Sequence, residues 1–394
     1  MRFPSYDIIM MALPRWDGPY SSTAYSLAKE LSKHTRVFYV DNPISVKDYL
    51  LNRDLPEYKR RRNALFFGSD FFTSPDAGYP NLFALTPRAT IPINWVWDGK
   101  VYDTLARLND MAVASTLNHL IRIFGIRKYV LINSFNPLYG RFMSLKVKPL
   151  LNVYQCVDDM SQAPYMRKHG PRLENEMISK ADFTIVTSSE LKRHKSLYCE
   201  NVYLLPNAAD VALFRKALQE ELPVPEEIRS IPSGSKIITY TGNICQRLDY
   251  DLLKKIATAH SDKYLLMIGP HARKDYRASG LSNMPNVIFA GRKRIEELPA
   301  YLRYSHCCII PFLCNQLTRS IYPLKINEYL SAGKPVVTTN FSEDMLPFSS
   351  VARIARNHDE FLTLINKAIA GDNELVKIER AAFSASNNWE ARAH

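Results

Sequence analysis

Short runs of apolar residues alternate with segments of helical periodicity along most of the chain. A continuous apolar run is typical of a strand buried on both faces, and the periodic segments between such runs predict covering helices. This alternation indicates parallel sheets with helices on both sides. The strands predicted in the first half are Tyr6–Leu13, Arg36–Val40, Lys128–Ile132, Leu150–Tyr154, Phe183–Thr187 and Val202–Leu205.

A segment rich in proline and glutamate, Gln219–Ser235, interrupts the alternation, which then restarts. Two such blocks predict an α/β protein with two doubly wound, Rossmann-like domains that face each other across a cleft. The strands predicted after the linker are Lys236–Thr241, Tyr264–Ile268, Val287–Ala290, Cys307–Ile310 and Pro335–Thr338. The predicted helices are Asp249–His260, Ile295–Tyr304, Pro323–Ser331 and Asp359–Ala370, followed by a polar helix over Glu374–Ala393.

Residues 45–100 do not follow this rhythm and are predicted to form an insertion, with short strands near Leu65–Phe67 and Leu82–Leu85. The insertion contains the basic run Lys59–Arg62, close to several phenylalanines. Basic residues beside aromatic ones are typical of peripheral contact with an anionic membrane. The alternative interpretation is a charged loop that covers a small core.

Composition adds a charge argument. The 394 residues include 51 Lys and Arg against 39 Asp and Glu, a net charge of +12. Such an excess favours an anionic partner, although solubility alone would also account for it. Nucleic acid is not the expected partner, because the sequence contains no recognition module of interleaved basic and aromatic residues.

The chain is expected to be cytoplasmic. No apolar run approaches the length of a membrane span, and the first residues do not have the pattern of a signal peptide. The six cysteines form no Cys-x-x-Cys motif and are predicted to be reduced core residues. No phosphate-binding Walker loop and no zinc-type spacing of His and Cys is present, so neither a cofactor nor a metal is predicted.

The densest group of chemically capable residues lies between Arg319 and Val337. Pro323 suits the first turn of a helix, which would leave the amides of Leu324, Lys325 and Ile326 open to an anion. Lys325 adds a full positive charge, and Glu328 follows one turn later on the same face. A diphosphate at the helix start would place its ribose hydroxyls near Glu328. An ordinary capped helix with a solvated Glu328 is the alternative.

This stretch resembles the donor-nucleotide motif of the GT-B-type glycosyltransferases of families 1 and 4, Pro-x-Lys-x-x-Glu-Tyr-Leu-x-x-Gly-Lys-Pro-Val-Val. Other segments are similar to the same family, with Pro14–Asp17 and Cys156–Asp159 closest to a subgroup that includes teichuronic-acid-type transferases. The further matching segments are Leu205–Phe214, Thr239–Asn243, Val287–Arg292 and Asn387–Glu390.

The resemblance implies domain boundaries at 1–205 for the acceptor, 206–373 for the nucleotide sugar, and a crossover helix at 374–394 that returns to the first domain. It also implies that Ser320, Tyr322 and Pro323 lie at the sugar-nucleotide site, and that Gly291 and Arg292 hold the base. Many retaining members carry a second glutamate where this chain has Ser320, so the stereochemical outcome is left open.

The turn Gly242–Arg247 follows the first strand of the second domain. Gly242 allows the backbone to approach a ligand closely, and the resemblance places Asn243 in the same ligand-binding turn. Arg247 is either a neutralising partner of the leaving diphosphate, as the resemblance implies, or a solvated loop residue. Asp249 and Asp251 have the spelling of a metal-binding Asp-x-Asp motif, but at a helix start they favour capping.

Two adjacent carboxylates, Asp158 and Asp159, follow a predicted strand of the first domain. The carboxyl end of a parallel strand is where ligands bind, so either could remove a proton from an acceptor hydroxyl. Helix capping or a turn is the alternative role. Asp17 is a further candidate of the same kind, and the loop Arg15–Thr23 could hold a phosphate at the helix that follows it.

Together these observations predict a glycosyltransferase that moves a sugar from a nucleotide-sugar donor, with UDP favoured, to a glycan or polyprenyl-diphosphate-linked acceptor. Lys325 stabilises the departing diphosphate, and Asp158 or Asp159 serves as the base. A nucleotide-sugar epimerase, or a phosphorylase, of the same fold is the alternative.

Overall fold

The computed structural model describes residues 6–18, 22–162, 165–271 and 279–394. The chain divides into two compact units between Leu205 and Pro206, with residue 393 grouped with the first unit and residue 394 with the second. Part of the loop proposed to hold a phosphate, residues 19–21, lies outside the described residues.

The first unit is built on an eight-stranded sheet with the strand order β3-β4-β2-β1-β5-β6-β7-β8. All neighbouring strands are parallel except the short β3, which pairs antiparallel with β4. The strands are β1 (Asp7–Ala12), β2 (Val37–Val40), β3 (Phe72–Thr73), β4 (Leu82–Leu85), β5 (Tyr129–Ser134), β6 (Leu151–Cys156), β7 (Phe183–Val186) and β8 (Val202–Leu204).

Burial on both faces explains the continuous apolar strands. In β1, Ile8 and Met10 pack into one hydrophobic cluster, whereas Ile9 and Met11 pack into another. Since successive side chains of a strand point to opposite faces, a strand with covered faces needs apolar residues at every position.

The helices of the first unit cover these two faces. The longest, Lys100–Ile123, was not specified by the sequence analysis. The predicted strand near Leu65–Phe67 is wrong: these residues end a helix that stops at Gly68, which has a left-handed φ of 72°. The helices are α1 (Thr23–Ser32), α2 (Val46–Asn52), α3 (Pro56–Lys59), α4 (Arg62–Phe67), α5 (Lys100–Ile123), α6 (Gly170–Ile178) and α7 (Ser189–Lys195), with a 3-10 turn at Met160–Gln162.

The second unit contains a six-stranded parallel sheet with the order β11-β10-β9-β12-β13-β14. Relative to its own first strand this is 3-2-1-4-5-6, the order of the Rossmann doubly wound fold. The prediction of two Rossmann-like α/β parts is confirmed. The strands are β9 (Lys236–Thr241), β10 (Lys263–Ile268), β11 (Val287–Gly291), β12 (Cys307–Ile310), β13 (Val336–Thr339) and β14 (Arg353–Ala355).

Helices are present at each predicted place in the second unit, with differences at their ends, and three further helices among the described residues were not predicted: Val211–Gln219, Glu226–Arg229 and Gln316–Arg319. The helices of this unit are α8 (Val211–Gln219), α9 (Glu226–Arg229), α10 (Tyr250–Ala259), α11 (Leu298–Tyr304), α12 (Gln316–Arg319), α13 (Leu324–Ser331), α14 (His358–Ala370), α15 (Glu374–Ser384) and α16 (Trp389–Ala393). Short 3-10 helices occur at Leu281–Asn283, Ile295–Glu297 and Glu343–Phe348.

The single helix predicted over Glu374–Ala393 is in fact two. The first ends at Ser384, and Asn388 caps the second by accepting a hydrogen bond from the amide of Ala391 at 2.7 Å. Asparagine is a strong N-cap, so Asn388 starts a new helix instead of continuing the old one. The break also lets residues 387–388 pair with Ala209, whose amide donates to the carbonyl of Asn387 at 3.0 Å.

Candidate functional site

The strand order changes direction between β9 and β12, and ligands of doubly wound sheets bind beside such a switch point, beyond the carboxyl ends of the strands. Gly242 follows β9, Gly269 follows β10, and Gly291 ends β11. The amide of Gly242 donates to the carbonyl of Ile268, and the amide of Gly269 donates to that of Gly291, both at 2.8 Å. The predicted residues Gly242 and Gly291 therefore lie at one edge of the sheet.

Two of these glycines are in tight contact. A Cβ on Gly269, whose φ is +148°, would lie 1.9 Å from the carbonyl oxygen of Gly242. A Cβ on Gly242, whose φ is +129°, would lie 3.0 Å from the Cε atom of Lys325. The absence of side chains at both positions therefore lets the turn after β9 pack directly against the lysine.

Helix α13 is fastened to β9 by Tyr329. The hydroxyl oxygen of Tyr329 accepts the backbone N–H of Thr241 at 2.8 Å and the Thr241 hydroxyl at 3.0 Å. Tyr329 is fully buried, as are Ile326 and Leu330 on the same helix. These contacts fix the position of the helix start relative to the switch point.

The helix starts one residue later than the sequence predicted. Pro323 is the N-cap, with extended backbone angles, and the first helical residue is Leu324. The amide of Ile326 donates to the carbonyl of Pro323 at 3.2 Å, so the expectation of three open amides is corrected. Leu324 and Lys325 remain in the first turn of the helix, at the positive end of the helix dipole. Backbone amides at this end have no carbonyl acceptor within the helix.

Lys325 lies over two aromatic rings, with its Nζ atom 5.1 Å from the ring centre of Phe312 and 5.5 Å from that of Tyr240. Burial lowers the pKa of Lys325 to about 8; Glu328 opposes this shift and the nearby charge of Arg247 adds to it. A half-buried ammonium group held beside open amides can bind an anion strongly, because little water competes for it.

Glu328 is 7% exposed. Burial raises its pKa to about 7, and the positive charge of Lys325 only partly offsets this. The solvated Glu328 that the alternative interpretation required is therefore excluded. A buried carboxylate gains from a ligand that donates hydrogen bonds to it, and a vicinal diol can donate two.

The turn that contains Arg247 lies near Lys325, because the next residue, Leu248, pairs with Phe312, whose ring centre is 5.1 Å from the Nζ atom of Lys325. Its backbone carbonyl accepts the amide of Leu313 at 2.9 Å, which ties the turn to the segment after β12. Asn243 is exposed beside it, and its carbonyl accepts the Tyr240 hydroxyl at 3.1 Å. Arg292 is exposed immediately after β11.

Ser320 and Tyr322 are both buried at the approach to this helix. The Tyr322 hydroxyl accepts the side-chain amide of Asn327 at 3.2 Å, and its carbonyl accepts that of Asn207 at 3.2 Å. Tyr322 thus connects the segment after Leu205 to α13. These contacts give it a positioning role within the unit.

Asp249 caps helix α10, as the sequence analysis favoured. One carboxylate oxygen accepts the amide of Leu252 at 2.9 Å and the other contacts the Nε2 atom of His358 at 2.8 Å. Within the described ranges, no group of three or more His, Cys, Asp or Glu side chains is arranged to hold a metal ion.

Asp158 and Asp159 lie just beyond the carboxyl end of β6, in the first unit, and are partly exposed. One Asp159 oxygen accepts both the amide and the hydroxyl of Ser161, at 3.0 and 2.7 Å, so this residue stabilises the turn into Met160–Gln162. An Asp158 oxygen accepts the amide of Asp159 at 2.9 Å.

Asp17 is held by arginines of the insertion. Arg61, which is 4% exposed, contacts both oxygens of Asp17 at 2.8 Å and also contacts Asp41 at 2.8 Å, and Arg60 pairs with Asp17 as well. Burial alone would raise the pKa of Asp17, but the hydrogen bonds and charges of Arg61, Arg60 and Arg15 keep it below its ordinary value. A carboxylate paired this way is a poor base at neutral pH.

The sequence analysis missed Gly269 and the two rings beneath Lys325. Gly269 and Phe312 each follow a predicted strand by one or two residues. Their positions just after predicted strands could be seen in the sequence. The strand order, which makes these strand ends neighbours, could not.

The family described as "Glycosyl transferases group 1" matches residues 235–367. The teichuronic acid biosynthesis glycosyltransferase TuaH of Bacillus subtilis is 30% identical over 205 residues, which cover 48% of this chain and 50% of the relative. The colanic acid biosynthesis glycosyl transferase WcaI of Escherichia coli is 26% identical over 152 residues, 37% of this chain and 36% of the relative. This chain thus matches half or less of the length of these curated relatives.

Solved structures share the fold across nearly the whole chain. Sucrose-phosphate synthase from Thermosynechococcus elongatus has a TM-score of 0.65 at 14% identity and covers 98% of this chain and 96% of its own. Anabaena Alr3699/HepE in complex with UDP has a TM-score of 0.62 at 13% identity, covering 98% and 97%. Residues 235–367 therefore match a glycosyltransferase family model, and the predicted resemblance to the GT-B-type glycosyltransferases is confirmed.

Proposed function

We propose that this protein transfers a sugar from a nucleotide-sugar donor, with UDP as the nucleotide, to a glycan or lipid-linked acceptor in the synthesis of a cell-surface polysaccharide. One observation carries the proposal: the buried Glu328 lies one helical turn beyond Lys325, beside Arg247 and the glycine turn after β9. The relatives named for teichuronic and colanic acid biosynthesis support the polysaccharide class.

The charges of this site suit departure of a diphosphate. As the bond between the sugar and the diphosphate breaks, negative charge grows on the leaving oxygen, and Lys325, Arg247 and the open end of α13 would stabilise it. Glu328 would hold the ribose by accepting from its hydroxyls. Because the positive charge comes from the chain itself, we propose that no metal or cofactor is needed and that turnover persists in a chelator.

The acceptor would bind to the first unit, where Asp158 or Asp159 would serve as the base. Asp17 is the less suitable candidate, because it is paired with arginines. A carboxylate beyond the carboxyl end of β6 can remove the proton of an attacking hydroxyl.

We also propose peripheral contact with an anionic membrane from the cytoplasmic side. The contact would be made by a basic-apolar surface, defined here as Lys59 and Arg62 with the exposed side chains Leu50, Leu51, Leu55, Phe66 and Phe67. All six cysteines are unpaired, which suits a reducing compartment. None of the helices described combines the length and apolar character that crossing a bilayer demands.

Calorimetric titration with UDP, GDP and UDP-sugars tests the donor site. We expect UDP compounds to bind, and Glu328→Ala to raise the dissociation constant roughly tenfold or more, since a buried acceptor of two hydrogen bonds is lost. Lys325→Ala should lower turnover by roughly a hundredfold. The exposed residues Glu379 and Lys367 provide the matched controls Glu379→Ala and Lys367→Ala. Unchanged binding and turnover in both site variants would disprove the assignment.

Product analysis distinguishes transfer from epimerisation. With the donor alone, a transferase gives only slow hydrolysis, whereas an epimerase converts the sugar without an acceptor. The transferase and synthase names of the reported relatives favour transfer.

The base assignment has its own test. We expect either Asp158→Asn or Asp159→Asn, whichever removes the base, to lower the rate constant of transfer by a factor of roughly 100 to 10,000. The substitution at the other aspartate should have a much smaller effect on this rate constant. Loss of rate in neither variant would contradict the assignment of the base to this pair.

A further inference from the structure

The first unit contains a cavity of about 340 Å³ that the proposed donor site does not use. Its walls come from residues 42–48 after β2, from residues 91–95, and from Leu138 and Tyr139 after β5. The cavity thus lies where ligands of doubly wound sheets bind, in loops beyond the carboxyl ends of the strands. Tyr102 and Asn109 of α5, together with Tyr165, complete the lining, and much of the remaining wall belongs to the insertion.

The lining combines aromatic surfaces with hydrogen-bonding groups. Tyr102 and Tyr139 are 1% and 9% exposed and form inner walls, whereas Trp95 and Tyr165 are 75% and 62% exposed at the rim. Aromatic rings offer flat apolar faces, and a pyranose presents a matching face of C–H groups on one side and hydroxyls around its edge.

Polar groups in the lining are held in position before any ligand binds. Asp48 accepts the Ser45 hydroxyl at 2.7 Å, and the side-chain amide of Asn94 donates to the carbonyl of Tyr165 at 3.0 Å. Asp48 lines the same cavity as Tyr139 and Tyr165, and its charge adds to the burial that raises the pKa of Tyr139. A carboxylate and an amide fixed this way can hold vicinal hydroxyls.

The segment after β5, next to the cavity, contains a strained backbone conformation and a buried polar atom without a hydrogen-bond partner among the described residues. Phe135, immediately after β5, has a positive φ of 57°, which is unfavourable for a phenylalanine. The next residue, Asn136, is 1% exposed, and its side-chain oxygen has no hydrogen-bond partner among the described residues. Its amide group donates to the Asn42 side chain at 3.1 Å, and Asn42 lines the cavity. Such features are concentrated at functional sites.

We propose that this cavity binds a sugar ring of the acceptor, with Trp95 and Tyr165 stacking on the ring and Asp48 and Asn94 bonding its hydroxyls. The proposal rests on the function proposed above and names the class of group that the first unit recognises. A phosphate is the less suitable occupant. Lys47 is the one basic residue among the described lining residues, and the adjacent Asp48 offsets its charge.

Direct binding without a donor tests the proposal. Ligand-observed NMR titrations would use the methyl glycosides of glucose, galactose, N-acetylglucosamine and glucuronic acid with the full chain. We expect at least one to bind, Trp95→Ala to weaken it roughly tenfold, and Trp97→Ala to leave it unchanged. Trp97 is 82% exposed and does not line the cavity, so it is a matched control and neither truncation removes core packing.

A second pair of variants tests whether the effect of Trp95→Ala on binding is indirect. Asp48→Asn should weaken the same glycoside, whereas Asp54→Asn, at an exposed position of the same insertion, should not. Binding of none of the glycosides, or binding that Trp95→Ala and Asp48→Asn both leave intact, would overturn the proposal.

Titration of UDP in the same samples separates the two proposals. UDP binding without glycoside binding contradicts only the sugar-binding cavity. Glycoside binding that depends on Trp95, without UDP binding, contradicts the proposed donor site and leaves the cavity supported.

Discussion

Lys325, which is half-buried, and Glu328, which is buried, are neighbouring charges whose protonation decides what the donor site can bind. Burial pushes the two pKa values toward each other, to about 8 for Lys325 and about 7 for Glu328. A nucleotide sugar needs the lysine protonated, to meet the diphosphate, and the glutamate deprotonated, to accept from the ribose. The site is in that state mainly in a narrow pH range.

We therefore predict that affinity for a UDP-sugar is greatest between about pH 7 and 8. Below this range Glu328 takes up a proton, and above it Lys325 loses one, so affinity falls by up to about tenfold per pH unit on each side. Calorimetry across pH 5.5 to 9, in roughly half-unit steps, measures this. A UDP-sugar is a better probe than UDP, because a terminal phosphate itself titrates near pH 6.

The variant Glu328→Gln supplies the control for the acidic limb. It cannot ionise, so its affinity should be lower and flat below neutrality, while the alkaline limb is retained. A wild-type profile without an acidic limb would contradict the role given to Glu328.

At the scale of elements, the turn after β9 and the turn after β10 touch through backbone atoms alone. The gap between them leaves no room for a methyl group on Gly269, and Gly242 is held against Lys325 by the same contact. The packing of the turns after β9 and β10 therefore also affects the position of the Lys325 side chain.

We predict that Gly269→Ala destabilises the protein by roughly 3 kcal/mol or more, because the new Cβ must displace the carbonyl of Gly242. Denaturation by urea, followed by circular dichroism, measures this. Gly234 is the control: its φ is also positive, at +85°, but a Cβ there meets nothing within 4 Å. Gly234→Ala should cost only about 1 kcal/mol, the penalty of the backbone conformation alone. Equal effects of the two substitutions would contradict the steric argument.

Elements buried on both faces could be predicted from the sequence with errors of a residue or two. The predicted Lys236–Thr241 is β9 to the residue, because an apolar run between turn signals has few other interpretations. Leu65–Phe67 was misjudged, because a short run of apolar residues also fits a helix, and here tertiary packing and Gly68 decide.

The donor motif was predictable for a different reason. Lys325 and Glu328 lie on one helix, so their relation follows from local geometry. The contact of Gly269 with Gly242, and those of Phe312 and Tyr240 with Lys325, depend on which strands are neighbours, and local patterns do not determine this. The cavity of the first unit was missed because its walls come from segments far apart in the chain.

For the whole molecule, the basic run Lys59–Arg62 presents fewer unpaired charges at the surface than its sequence suggests. Within the run Lys59–Arg62, Arg61 is buried between Asp17 and Asp41, and Arg60 is paired with Asp17. This result supports part of the alternative interpretation, a charged segment over a small core. Lys59 and Arg62 are exposed beside leucines and phenylalanines, and they carry the membrane proposal.

We predict that the protein sediments with vesicles containing phosphatidylglycerol and not with neutral vesicles. The double variant Lys59→Glu and Arg62→Glu should weaken this binding at least tenfold, since each basic residue near the surface contributes about 1 kcal/mol. Lys180→Glu with Lys192→Glu changes the net charge equally at exposed positions of the same unit and should have a smaller effect. Equal losses for the two pairs would show general charge attraction without a docking surface.

The first and last segments of the second unit lie next to each other. Ala209 is hydrogen bonded to Asn387, and the guanidinium of Arg392 donates to the carbonyl of Pro206 at 2.9 Å. Because the first and last segments of this unit are hydrogen bonded to each other, residues 206–392 could be treated as a separate fragment. Its two ends could be joined and new ends opened at a surface loop. The whole fragment could also be exchanged for the corresponding fragment of another transferase. Neither change would require the chain to cross the sheet.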